Sequence, residues 1–170
     1  MKPTTHETQE LILQMRDIDQ KLRSESPIDW DKLTKIDAEN TTKIKGLIAK
    51  YSLIDVERFG KEVSQAAWLI VQHAPRTEVD FMKSYLDIMR KNTSKVIMRN
   101  LAYLEDRVNM YTDLPQVYGT QVISKDGKME FYKIEDVSKV DECRNEVGLN
   151  PLKEYAEKFT PPIDLPKDYR

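Results

Sequence analysis

His73 is the side chain best suited to acid–base chemistry, because a histidine beside a carboxylate is the usual form of a general base. It lies in the most apolar run of the chain, residues 65–74. Three carboxylates could orient its imidazole ring: Glu62, Asp106 and Asp141. The competing interpretation is a core histidine that bonds to a backbone carbonyl, and the sequence leaves both open.

The segment that carries His73 has helical periodicity and a polar stripe along one side. At 3.6 residues per turn, Glu62, Gln65, Gln72 and His73 fall close to one side, while apolar residues cover another. Buried polar groups need partners, so we expect a polar site to face this stripe. Trp68, in the middle of the helix, is expected to be buried.

A second polar group surrounds Gly119, a residue type that lets backbone approach closely. Two glutamines, a tyrosine and a threonine flank this glycine, and Asp106 and Arg107 precede it with a carboxylate and a guanidinium. The candidate catalytic residues are therefore His73, Asp106 and Arg107. The candidate ligand-binding residues are Glu62, Gln65, Gln72, Gln116, Tyr118, Thr120 and Gln121. In the alternative, the same residues form a structural network that locks a hairpin to the helices.

Other kinds of active site are not supported. No serine or cysteine lies in a nucleophile motif, and neither a glycine-rich phosphate loop nor HExxH is present. The single Cys143 excludes an intramolecular disulfide and a multi-cysteine zinc site. With two histidines in the chain a metal site is weakly supported, although a site made by His73 with two carboxylates stays open. We predict no metal and no cofactor.

The charge balance limits the kinds of binding partner, and the first residues of the chain indicate the compartment. Twenty-seven basic against 29 acidic residues give a net charge of −2, which excludes general nucleic-acid binding through phosphate neutralisation. The apolar run around His73 is too short to span a bilayer. The first residues lack the apolar core of a signal peptide, which predicts a cytoplasmic protein unless an export signal has been removed.

The elements that carry these candidate residues are predicted to be mainly helical. They should form a single-domain bundle of about six to seven helices with one β-hairpin near 117–134. The first helix should bury Leu11, Met15, Ile18 and Leu22, and residues 52–59 should form a connector. Runs over 117–124 and 129–134 flank the Asp126-Gly127 pair, a strong hairpin signal. The predicted organisation is an N-terminal helix and linker (1–29), a helical core with the hairpin (30–159) and an extended, proline-rich tail (160–170).

Several segments resemble an uncharacterised bacterial family, domain of unknown function 6624. These are QAAWLIVQHA at 65–74, DRV at 106–108, PQVYGTQ at 115–121, VDECR at 140–144 and VGLNPLKEY at 147–155. The resemblance covers roughly residues 30–157 and departs from the family at Ser52 and Thr112, where it implies glycine. It implies a domain but no activity.

Two classes of function follow from these residues. In the first, a soluble domain has a polar pocket around His73 and the Tyr118–Gln121 strand, binds a small polar ligand there and acts on it by acid–base chemistry. In the second, the chain is a non-enzymatic interaction protein, such as an immunity or regulatory factor with a protein partner. A concave pocket open to solvent favours the first, and a filled polar network favours the second.

Overall fold

The computed structural model describes residues 5–169, and 62% of this range lies in α-helices and two short 3-10 turns. It contains eight α-helices and one antiparallel β-hairpin, so the predicted mainly α fold is confirmed. The elements are α1 (Thr5–Ser24), α2 (Trp30–Tyr51), α3 (Val56–Phe59), α4 (Lys61–Gln72), α5 (Val79–Arg90), α6 (Met98–Tyr111), β1 (Val122–Lys125), β2 (Lys128–Phe131), α7 (Val140–Glu146) and α8 (Leu152–Ala156). None of the helices in this range is both long and apolar enough to cross a membrane.

The chain divides into two compact units, Met1–Ile97 and Met98–Arg170. The first contains α1 to α5, and within it α1 packs against both α2 and α4. The second contains α6, the hairpin, α7 and α8. The organisation predicted from the sequence, with boundaries near residues 29 and 159, stays a prediction.

The buried face of α1 differs from the predicted one. Five residues spaced by four, three, four and three are buried: Thr8, Ile12, Met15, Asp19 and Leu22. The prediction for Ile18 was wrong, because its side chain is 50% exposed. Two polar residues take core positions because the first unit supplies their partners. Thr8 Oγ1 lies 3.1 Å from the Tyr51 hydroxyl, and Asp19 binds a histidine.

Side-chain caps begin α2 and α3. Asp29 accepts a hydrogen bond from the backbone N–H of Lys32, and Asp55 does the same for Arg58. Ser52 ends α2 at a φ of 65°, in the left-handed region that favours glycine, which is the residue implied there by the family resemblance. The single turn of α3, within the predicted connector, is too short to produce a periodic pattern.

The central helix α4 buries the side expected to be apolar. Its buried hydrophobic residues are Val63, Ala66, Ala67, Ile70 and Val71. Trp68 is half-buried, which corrects the expectation that it lies in the core. Residues 63, 66, 67, 70 and 71 already fill the inward arc, so the indole lies at its border.

The hairpin is shorter than predicted. Its strands run over Val122–Lys125 and Lys128–Phe131, and Asp126 and Gly127 turn between them with φ values of 51° and 77°. Residues 117–121, expected to belong to the first strand, form an irregular loop instead. The loop is irregular because several of its backbone N–H groups donate to the side chain of Asp106, which lies more than ten residues earlier in the chain.

Candidate functional site

His73 makes a close pair with Asp19. The imidazole follows the last turn of α4, and its Nδ1 lies 3.0 and 3.1 Å from the two carboxylate oxygens of Asp19. Because an ionised carboxylate only accepts, Nδ1 carries the proton and donates it. Nε2 has no hydrogen-bond partner among residues 5–169, and the side chain is 17% exposed. This is the arrangement of an oriented general base.

Two further residues bind the buried Asp19 carboxylate. Gln20 Nε2 donates to it over 2.7 Å and Arg23 Nε over 3.1 Å. Burial alone would raise the pKa of Asp19, but the hydrogen bond and charge of His73, with Gln20 and Arg23, lower it from 3.8 to about 2. Arg23 also joins Asp19 to Asp37, whose oxygens lie 2.8 and 2.9 Å from its Nη2. Burial raises the pKa of Asp37, and Arg23 opposes that rise.

The same residues are the candidate metal ligands. Within the range 5–169, one group of three offers ligand atoms that all lie within 4.8 Å of one another: Asp19, Asp37 and His73. Arg23 already binds both carboxylates, so a bound ion would have to displace its guanidinium or share the oxygens with it. The absence of a metal stays a prediction.

A groove of about 290 Å³ runs along α1 and α4. Its lining residues are Arg16, Gln20, Glu62, Gln65, Ala66, Trp68 and Leu69. The sequence candidates Glu62 and Gln65 therefore share one concave surface, whereas Gln72 is buried at 3% exposure. Arg16 Nη1 donates to Glu62 Oε1 over 2.8 Å. Gln20 connects the groove to His73, because it lines the groove and donates a hydrogen bond to Asp19, the carboxylate partner of His73.

Sequence reasoning missed Asp19. It proposed Glu62, Asp106 or Asp141 to orient His73, but Glu62 binds Arg16, and Asp141 accepts from the Leu152 N–H and the Tyr169 hydroxyl within the second unit. The available signal was the spacing of Asp19 within the stripe at 8, 12, 15, 19 and 22. A charged residue at a core position of a helix requires a partner.

In the second unit, Asp106 holds the loop after α6. Its carboxylate accepts hydrogen bonds from four groups, namely the backbone N–H of Val117, Tyr118 and Thr120 and the Thr120 hydroxyl, over 2.7 to 3.2 Å. Burial raises the pKa of Asp106, and these four donors oppose the rise. The side chain is fully buried, and its oxygens are directed at the protein's own backbone.

The neighbouring glutamines complete a filled network. Gln116 donates from Nε2 to the carbonyls of Gln121 and Tyr132, and its Oε1 accepts from the Gln121 N–H over 2.8 Å. Gln121 Nε2 donates to Thr120 Oγ1 over 2.9 Å. Gln116, Thr120 and Gln121 are each at most 4% exposed. Arg107 is half-buried, with its Nη1 3.4 Å from the Tyr111 hydroxyl.

Arg144, which was not a sequence candidate, closes this loop from α7. It is 1% exposed and donates to the carbonyls of Tyr118 and Asn150, each over 2.6 Å. Tyr155 adds a hydrogen bond to the Thr120 carbonyl over 3.1 Å. Gly119 has a φ of 64°, in the left-handed region that favours glycine, and a Cβ there would come within 2.7 Å of Leu152 Cδ1, so the leucine side chain would have to move.

Comparison with known proteins identifies the family. The model of a family of unknown function, DUF6624, matches residues 6–162, which include the His73 pair and the Asp106 loop. The chain belongs to this family. No curated protein and no solved structure matches the chain. Membership in DUF6624 therefore supplies no activity, and we infer the function from the residues.

For this DUF6624 protein we expect Gln121→Ala to lower the free energy of unfolding by about 1–3 kcal/mol, because truncation leaves buried partners unsatisfied. Urea unfolding measures the loss. Gln14→Ala, on the exposed side of α1, is the matched control and should change stability by less than about 0.5 kcal/mol. Equal, small losses in both variants would contradict a structural role and favour an open ligand-binding surface at Gln121.

Proposed function

We propose that the chain binds a small polar ligand beside the Asp19–His73 pair and that His73 acts on this ligand as a general base through Nε2. One observation carries the proposal. The buried Asp19 carboxylate holds Nδ1 of an imidazole that keeps partial exposure, and Nε2 is without a partner in the described range.

The chemistry follows from the tautomer. With the proton on Nδ1, the lone pair of Nε2 can accept a proton from an O–H, N–H or C–H group of the ligand. Asp19 then stabilises the imidazolium that forms, as a carboxylate does in other acid–base pairs. Arg23 and Gln20 keep that carboxylate ionised and oriented. The pair offers no nucleophile of its own, so the supported reaction class is proton transfer.

The predicted pocket had a second half, the loop at Tyr118–Gln121. His73 belongs to the first unit and this loop to the second, and the pocket predicted from the two stays a prediction. The filled network around Asp106 favours the alternative for the second unit, a structural role within an interaction protein of the immunity or regulatory class.

The experiment uses the fact that the chain has two histidines. In protein labelled at histidine Cε1, pools of small polar metabolites should shift the His73 NMR signal and leave that of His6, which is 80% exposed on the first turn of α1, unchanged. For a metabolite that is turned over, His73→Gln should lower kcat by about 10²–10⁴-fold.

The contrary result is equally specific. If no pool moves the His73 signal, and a tagged chain instead captures a protein that protects the His73 region from hydrogen exchange, the interaction class holds and the acid–base proposal fails. A comparable shift of both histidine signals would indicate a change of pH and not binding, so it counts against the ligand.

A further inference from the structure

We infer that the groove along α1 and α4 takes a small organic cation, an alkylammonium or guanidinium compound, and presents it to His73. This inference rests on the proposed function and names the class of its ligand. It draws on three features of the first unit: the direction of the groove, the charge of the residues around it, and the side chains of its lining.

The groove continues toward the histidine on its α4 side. Glu62, Gln65 and Leu69 line it, and these positions are followed on the same helical face by His73, one turn beyond Leu69. On α1, the groove residue Gln20 donates to Asp19, the carboxylate that orients His73. A ligand beside Leu69 and Gln20 is therefore about one helical turn from His73.

The charges around the groove and the Asp19–His73 pair favour a cation. Two hydrogen-bonded groups lie here, each with two carboxylates and one guanidinium: Asp17 and Glu62 with Arg16, and Asp19 and Asp37 with Arg23. Of these six residues, Arg16 and Glu62 line the groove itself. With neutral His73 this leaves a net charge of −2. Such an excess attracts a positively charged ligand and repels phosphates and carboxylates, although salt screens the exposed members.

The lining supplies the contacts that a cation needs. Trp68 provides an aromatic surface on which an ammonium or guanidinium group gains cation–π stabilisation. The amide oxygens of Gln20 and Gln65 can accept from its N–H groups, and Ala66 and Leu69 provide an apolar wall. A volume of about 290 Å³ lies at the lower end of small-molecule pockets, which favours a small ligand.

The contact with His73 is a hydrogen bond and leaves the cation charged. An N–H group of the ligand donates to Nε2 of neutral His73, and no bond breaks, because an alkylammonium or guanidinium group is a much weaker acid than an imidazolium. Asp19 holds the Nδ1 proton, so that Nε2 presents its lone pair to the ligand.

The test uses Trp68 as its own reporter. Trp30→Phe removes the other of the two tryptophans, which is 66% exposed at the start of α2. In this background, n-butylammonium and n-butylguanidinium should change the Trp68 emission at lower concentrations than 1-butanol or butyrate, which match them in size. Glu62→Gln should weaken the binding of both cations about threefold or more. Glu57→Gln, which removes another exposed carboxylate of this unit, should not.

Two results would overturn the inference. One is equal or tighter binding of 1-butanol or butyrate. The other is binding of Zn²⁺ that prevents the organic cations from binding and is lost in Asp37→Asn. That result would make Asp19, Asp37 and His73 a metal site. The base role is tested separately, because His73→Gln should still bind n-butylammonium. If the organic cations do not bind while another metabolite shifts the His73 NMR signal, the inference fails and the proposed function stands.

Discussion

Asp106→Ala should lower the free energy of unfolding by about 4 kcal/mol or more. The carboxylate satisfies three backbone N–H groups and one hydroxyl at a fully buried position. Each buried donor left without an acceptor costs about 1–3 kcal/mol, and alanine leaves all four in that state. At about 2–4 °C per kcal/mol for a chain of this size, thermal unfolding should occur about 10 °C lower, as measured by circular dichroism.

Two further variants delimit the effect. Asp106→Asn keeps one acceptor oxygen but directs an NH₂ group at backbone N–H donors, so its loss should be intermediate. Glu142→Ala, at an exposed position of α7, should stay within about 0.5 kcal/mol of the wild type. A loss below about 1 kcal/mol for Asp106→Ala would show that water replaces the carboxylate easily. Asp106 would then return as a candidate for catalysis, as the sequence suggested.

Helix positions could be predicted because their signals are local. The long helices α1 and α2 begin and end where periodicity and the Ser26-Pro27 break place them, over 5–24 and 30–51. The turn of the hairpin was also predictable, because Asp126-Gly127 readily adopts the positive φ values of a two-residue turn. The loop at 117–121 could not be predicted. Its β propensity is overridden by hydrogen bonds that its backbone N–H groups donate to a side chain more than ten residues away.

The partner of His73 could not be predicted from local pattern. Asp19 is 54 residues away, and only the packing of α1 on α4 brings its carboxylate to the imidazole. Hydrophobic periodicity assigns a charged residue to the surface by default, so the inward face of α1 was placed on Ile18 instead of Asp19. The polar stripe of α4 did identify the correct helix for the candidate site, because a histidine among apolar residues already implies a buried partner.

The Asp19–His73 pair also predicts how stability depends on pH. The pKa of Asp19 falls from 3.8 to about 2 on folding, so its ionised form stabilises the folded chain. This contribution is fully present above about pH 5 and is lost as the pH falls toward 2. It amounts to about 2 kcal/mol, of which about 1 kcal/mol is lost by pH 3. Urea unfolding measures the difference in the free energy of unfolding between the wild type and Asp19→Asn. This difference should be about 1 kcal/mol smaller at pH 3 than at pH 6.

The comparison with the Asp19→Asn variant cancels the contribution of Asp106, which is present in both proteins and whose raised pKa acts in the opposite direction. Asp37 is also present in both, and the charge of Asp19 is one of the causes of its raised pKa. His73 supplies the largest lowering of the pKa of Asp19, so repeating the pair of measurements in a His73→Gln background is the control. In that background the difference in the free energy of unfolding between the proteins without and with Asp19→Asn should change much less with pH. If the difference in the free energy of unfolding does not change with pH in the wild-type background, His73 does not stabilise ionised Asp19. The imidazole would then lack the partner that fixes its Nδ1 proton, and Nε2 could not serve as the oriented base.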